Sequence, residues 1–158
     1  MADSISITGL SDSSCKKITD LLNDLLANYQ ILYLNVRGYH WNIRGSQFFE
    51  LHRKFEEVYN ELIEQIDDIA ERTLTLGHTP DHTYSAYLKK TAIKEHSNAT
   101  DPIVCVKGLL DGLLILLDKQ RDIIHIAMDE DDEGTVDLLS DYIFSQEKLA
   151  WMLKAYLS

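Results

Sequence analysis

From about Phe48 to Leu76 the chain carries an uninterrupted helical pattern, and His52, Asp67 and Glu71 lie on it too far apart to meet. A helix rises ~1.5 Å per residue, so the fifteen residues from His52 to Asp67 span roughly 22 Å along its axis. With His40 just upstream, these residues make two histidines and two carboxylates that one copy of the chain cannot bring to a single ion. Two copies packed antiparallel about a two-fold axis can. The histidine end of one helix then lies beside the carboxylate end of its mate, and symmetry repeats the arrangement.

At ~100° per residue, Glu56 lies about 40° around the helix from His52, Asp67 about 60° and Glu71 about 100°. Tyr59, Ile63 and Leu74 fall on or near the same stripe, which suits a buried interface with a polar site in it better than a fully solvated edge. Taken singly, each acidic residue reads as a solvated helix position, and His52 with Glu56 as a local i,i+4 contact. Taken together, with His40 before a bend bracketed by Gly38 and Gly45, the set reads as a metal site.

A chain of 158 residues is about one domain's worth, and only 7 Gly and 2 Pro interrupt it. Hydrophobic residues make up 45% and recur at helical spacing almost throughout, so the expected class is all-α. The formal net charge of -11 favours attraction of cations and disfavours phosphate. No Lys or Arg occurs in residues 1–15 and no basic tail follows the last helical pattern, so direct DNA binding is not expected. The N-terminus lacks the features of a signal peptide and no apolar stretch is long enough to span a bilayer, so a cytoplasmic protein without membrane attachment is expected. Cys15 and Cys105 have no CxxC spacing and read as ordinary reduced thiols.

The expected organisation is a flexible segment over residues 1–10 and one domain over 11–158. Ser11 or Asp12 caps a first helix with apolar positions from Ile18 to Val36, ending near His40. Ser46 is the expected cap of the second helix, whose core stripe runs Phe48, Leu51, Phe55, Val58, Leu62, Ile66, Ile69 and Leu74. Gly77 and Pro80 end it. The long link over residues 77–100 calls for structure of its own, and Tyr84 to Lys90 suits a short helix. Asp101 and Pro102 open a third long helix to about Met128. The acidic turn Asp129 to Gly134 leads to a fourth, ending at Leu157. Four long helices with one long crossover between the second and third form a ferritin-like bundle.

The usual intrachain di-metal signature of such a bundle, Glu-x-x-His, is absent: no Glu here has His three positions on. The segments His40-Trp41-Asn42-Ile43-Arg44-Gly45, Phe48-Phe49-Glu50-Leu51-His52, Asp67-Asp68-Ile69-Ala70-Glu71-Arg72 and the C-terminal run Glu147 to Ala155 resemble the signature of the Dps family, the dodecameric mini-ferritins. That resemblance covers nearly the whole chain. It implies a homo-oligomer, a dodecamer of two-fold dimers, in which His40 and His52 of one subunit and Asp67 and Glu71 of its mate bind iron, with Glu56 where the family usually has Asp.

The resemblance further implies a ferroxidase that oxidises Fe2+ with hydrogen peroxide, or dioxygen, and stores ferric mineral. Imidazole and carboxylate ligands also suit zinc or manganese. Trp41, beside His40, reads either as an electron donor when one iron is bound or as a packing aromatic. Glu133, Asp137 and Asp141 share one side of the last helix, and the first two match positions lining the family's threefold pores; the plain alternative is an acidic helix start favoured by the dipole. A calcium loop at Asp129 to Ser140 is excluded, because its twelfth position is Ser140 rather than Glu. Two rival functions remain open at this stage: a DNA-compacting shell with secondary metal binding, and a structural bundle holding zinc.

Overall fold

Four long helices and one short one make up the computed structural model, which describes residues 7–158: α1 (Asp12–Asn42), α2 (Phe48–Thr75), α3 (Tyr84–Lys90), α4 (Pro102–Asp129) and α5 (Glu133–Tyr156). No strand occurs among the described residues. Ser11 caps α1 by accepting from the Ser14 amide, Thr83 caps α3, and Asp101 caps α4 with Pro102 in the first turn. Each supplies a side-chain oxygen to an amide that the helix itself leaves unpaired. No helix among the described residues is long and apolar enough to cross a membrane.

Contacts at the helix ends fix the directions. Ser14 and Lys17, at the start of α1, reach Glu130 just beyond the end of α4, so these two helices are antiparallel. Arg72, near the end of α2, meets Asp132 before α5, and Gln47, before α2, accepts from Tyr156 at the end of α5. Hence α2 and α5 are also antiparallel, and α2 and α4 run the same way. Two consecutive long helices that run parallel need a connection that returns along the bundle, and residues 76–101 with α3 provide it.

Three asparagines of α1 hold that connection. Asn23 Oδ1 accepts from the Asp81 amide, and Asn28 Oδ1 accepts from the amides of Ala92 and Ile93 and from the Thr91 hydroxyl. Asn35 accepts from the His96 amide and donates to the Lys94 carbonyl. A loop of this length has many peptide groups to satisfy, and side chains of a rigid helix do it here.

At the middle of the bundle the aliphatic and aromatic core gives way to a polar group, where Tyr29, Gln65, Gln120 and Gln146 bond one another. Tyr29 donates to Gln120 Oε1 at 3.0 Å, Gln120 donates to Gln146 Oε1 at 2.8 Å, and Gln146 Nε2 reaches the Tyr29 hydroxyl at 2.6 Å and Gln65 Oε1 at 3.2 Å. All four groups are neutral. Burial pushes the Tyr29 phenol far above its ordinary value, so it remains protonated.

Three local expectations need correction. Ser46 does not cap α2; Gln47 occupies that position without a side-chain cap bond, its amide group turned to Tyr156. Gly38 is inside α1 rather than at a bend, and the turn comes at Gly45, where φ is +113°. Leu74 is 57% exposed and lies outside the core, since it belongs to the stripe of Ile63 and Asp67; Leu76 is buried instead. Of the expected flexible segment, residues 1–6 lie outside the described residues, and Leu10 packs against the core.

Candidate metal centre

His40 occupies the last turn of α1 and His52 the second turn of α2, brought together because residues 43–47 reverse the chain. Their rings stack with centroids 3.8 Å apart and planes 20° from parallel. His40 Nδ1 lies 2.7 Å from the His52 carbonyl oxygen, and His52 Nδ1 lies 2.8 Å from the His40 carbonyl oxygen. A carbonyl only accepts, so both Nδ1 atoms carry their hydrogen as donors. With the hydrogen on Nδ1, the lone pair of a neutral imidazole is on Nε2, the tautomer a metal ligand needs.

Neighbouring aromatics hold the pair in place. Phe48 stacks on the other face of His52, 4.9 Å between centroids, and Tyr59 meets His40 edge-on at 5.3 Å. His40 is 8% exposed, so the protein has already removed most of its hydration.

Glu56, Asp67 and Glu71 are exposed on α2, together with Ile63 and Leu74 at 41% and 57%. The carboxylate end of the helix is anchored from behind. Tyr142 of α5 donates to Asp68 Oδ2 at 2.8 Å, and Arg72 donates to Asp132 Oδ1 at 2.5 Å and to Thr135 Oγ1 at 3.0 Å. Asp132 also caps α5 through the Thr135 amide. A Cβ at Gly134 would stand 2.9 Å from the Arg72 guanidinium, so the residue there has to be small. None of this anchoring was anticipated from sequence.

Helix α2 is continuous between its two ends, so the histidine pair and the Asp67–Glu71 pair remain apart within one chain. Among the described residues no three His, Cys, Asp or Glu side chains of a single chain assemble into a metal-binding group. What one chain presents is two half-sites: a rigid pair of imidazole nitrogens and, along the same stripe, a pair of exposed carboxylates among apolar residues.

Trp41 is 59% exposed beside the histidine pair, with the Arg37 guanidinium over its ring at 4.6 Å. Arg37 escaped notice in the sequence, although Tyr33, Arg37 and Trp41 stand at i, i+4 and i+8, the spacing at which helix side chains meet. Glu133, Asp137 and Asp141 are exposed along α5. Of the other histidines, His96 bonds the Tyr39 hydroxyl at 2.8 Å, while His82 and His125 are exposed. Cys15 and Cys105 are both buried, and burial pushes the Cys105 thiol up to about 11.

Comparison with known proteins places the chain in a family. The family model for the ferritin-like domain matches residues 19–158. The DNA protection during starvation protein of Porphyromonas gingivalis is 41% identical over 96% of each chain. The crystal structure of a Dps protein from Vibrio cholerae, described as a member of the ferritin-like diiron-carboxylate proteins, is 52% identical. It superposes with a TM-score of 0.96 over 100% of this chain and 98% of its own. A Dps protein from Bacillus brevis is 36% identical with a TM-score of 0.89, over 92% of this chain and 98% of its own. The all-α bundle built here around a paired-histidine corner belongs to the ferritin-like class. Within that class, the chain is a member of the Dps family.

Proposed function

We propose that this protein is a ferroxidase and iron store in which Fe2+ binds between His40 and His52 of one subunit and Asp67 and Glu71 of a two-fold mate. The observation that carries the reading is the mutual Nδ1-to-carbonyl lock, which leaves two stacked imidazoles with their lone pairs on Nε2 and nothing in their own chain to bind. An antiparallel mate supplies the missing carboxylates, and Ile63 and Leu74 become part of the contact. Glu56 reaches from the histidine side toward a second iron. Imidazole and carboxylate hold ferrous and ferric iron alike, and zinc or manganese can take their place.

The reaction joins two electrons from two Fe2+ to one hydrogen peroxide: the O–O bond breaks, two protons are taken up, and two Fe3+ and two waters result. Dioxygen serves as a slower oxidant. Pairing the electrons avoids release of hydroxyl radical, which fits protection of the cytoplasm from oxidative stress. Twelve subunits enclose the ferric mineral. Glu133 and Asp137, with Asp141 behind them, line threefold pores whose negative field concentrates Fe2+.

The test is rapid mixing of the anaerobic protein with Fe2+ and peroxide. The triple variant His40→Ala, His52→Ala, Asp67→Ala loses rapid oxidation; a rate equal to wild type rules out the site. Because the chain carries a net charge of -11, DNA binds only through bridging cations, which gel shift with and without Mg2+ at low salt examines.

A further inference from the structure

A single guanidinium lies against two aromatic rings next to the histidine pair. The Arg37 Cζ stands 5.3 Å from the centre of the Tyr33 ring and 4.6 Å from that of Trp41. Arg37 is half-buried, and among the described residues no carboxylate of its own chain forms an ion pair with it. A guanidinium is a fixed cation.

Trp41 follows His40 directly, and an indole is among the side chains most easily stripped of one electron. The product is a radical cation, with its positive charge on the ring that Arg37 covers. A fixed cation over the ring attracts the π electrons of the reduced indole and repels the oxidised one. Both effects act in the same direction.

We infer that Arg37 protects Trp41 from one-electron oxidation and so directs peroxide toward a second Fe2+ rather than toward the protein. The reaction it suppresses occurs when one Fe2+ meets one hydrogen peroxide. The iron gives one electron and the Trp41 ring gives the other, the O–O bond breaks, and the indole N–H proton is released. That proton and one from solvent complete two waters, leaving Fe3+ and a neutral indolyl radical. This inference depends on the proposed ferroxidase site only for where the oxidant is generated.

Two arms separate the two readings. In the first, without iron, a photogenerated ruthenium(III) polypyridyl complex oxidises the protein, and loss of unmodified Trp41 is followed by peptide mass spectrometry. Trp151, 67% exposed and with no cation over its ring among the described residues, serves as reference in the same sample. Relative to Trp151, Trp41 is lost about threefold faster or more in Arg37→Gln and Arg37→Met than in wild type, and Arg37→Lys stays close to wild type. Arg37→Met keeps the aliphatic cover, so it decides the matter if Arg37→Gln perturbs the fold by circular dichroism.

In the second arm, sub-stoichiometric Fe2+ and peroxide replace the ruthenium complex, and the same order of variants is expected. Neutral variants that match wild type in the first arm, or Arg37→Lys that behaves as they do, overturn the inference. The expected order in the first arm with no iron-dependent loss of Trp41 in any protein supports the role of Arg37 and sinks the iron site instead.

Discussion

Arg72 sets its guanidinium 2.5 Å from the Asp132 carboxylate and joins the end of α2 to the start of α5, the two side chains being 16% and 1% exposed. Removing one partner of a buried pair leaves a charge without compensation, at a cost of about 3–5 kcal/mol. Arg72→Leu therefore lowers the urea midpoint far more than a surface change such as Lys16→Ala, whose ion pair with Asp20 is solvated. Because Glu71 precedes Arg72, the variant also weakens iron oxidation under conditions where it is still folded.

The proposed division of the ligands between subunits predicts complementation. A His40→Ala, His52→Ala variant and an Asp67→Asn, Glu71→Gln variant are each slow alone. Subunits dissociated, mixed equally and reassembled form mixed dimers in which one site has all four ligands and the other none. Random pairing restores about a quarter of the wild-type sites. A mixture no faster than its components shows that the ligands are not shared across a dimer.

Asn28 serves three donors from the crossover, the amides of Ala92 and Ile93 and the Thr91 hydroxyl. Asn28→Ala strands the Ala92 amide, while the Ile93 amide keeps the Thr91 hydroxyl and that hydroxyl keeps the Ile93 carbonyl, with an expected loss of about 1–3 kcal/mol. Limited proteolysis cuts the variant first between Lys89 and Lys94, while the four long helices persist by circular dichroism.

Alkaline pH destabilises the fold through its buried phenols. Burial raises Tyr29, Tyr39 and Tyr142 above the ordinary value, with the Asp68 carboxylate adding to the effect at Tyr142. Such groups stay protonated in the folded chain while their unfolded counterparts ionise near pH ~10. Stability is thus fully present below that pH and falls as pH rises above it. Absorbance at 295 nm should show the three buried phenols ionising only with unfolding.

Helix content, the Ser11 and Asp101 caps and the bounds of α3 were legible in the residues, since period, cap chemistry and proline position are local properties. That His52 and Asp67 stay apart within one chain followed from the length of α2 alone. Ser46 misled because capping depends on where the chain turns, and Gly45 with Gln47 set that turn instead. The histidine lock could not be read in advance, because its acceptors are main-chain carbonyls and every residue carries one. The Arg72 and Tyr142 anchors join positions sixty or more residues apart, where spacing carries no information.

The ring of amides and phenol formed by Tyr29, Gln65, Gln120 and Gln146 has a consequence for the order of events in the protein's life. An interior lined with carboxylates would repel itself until a cation arrived, and maturation would then wait on supply. Here the middle of the bundle is held by neutral groups, with Gln65 reaching outward to the Glu61 carboxylate, so a newly made chain can reach its native shape during scarcity and stand ready for a later surge of metal.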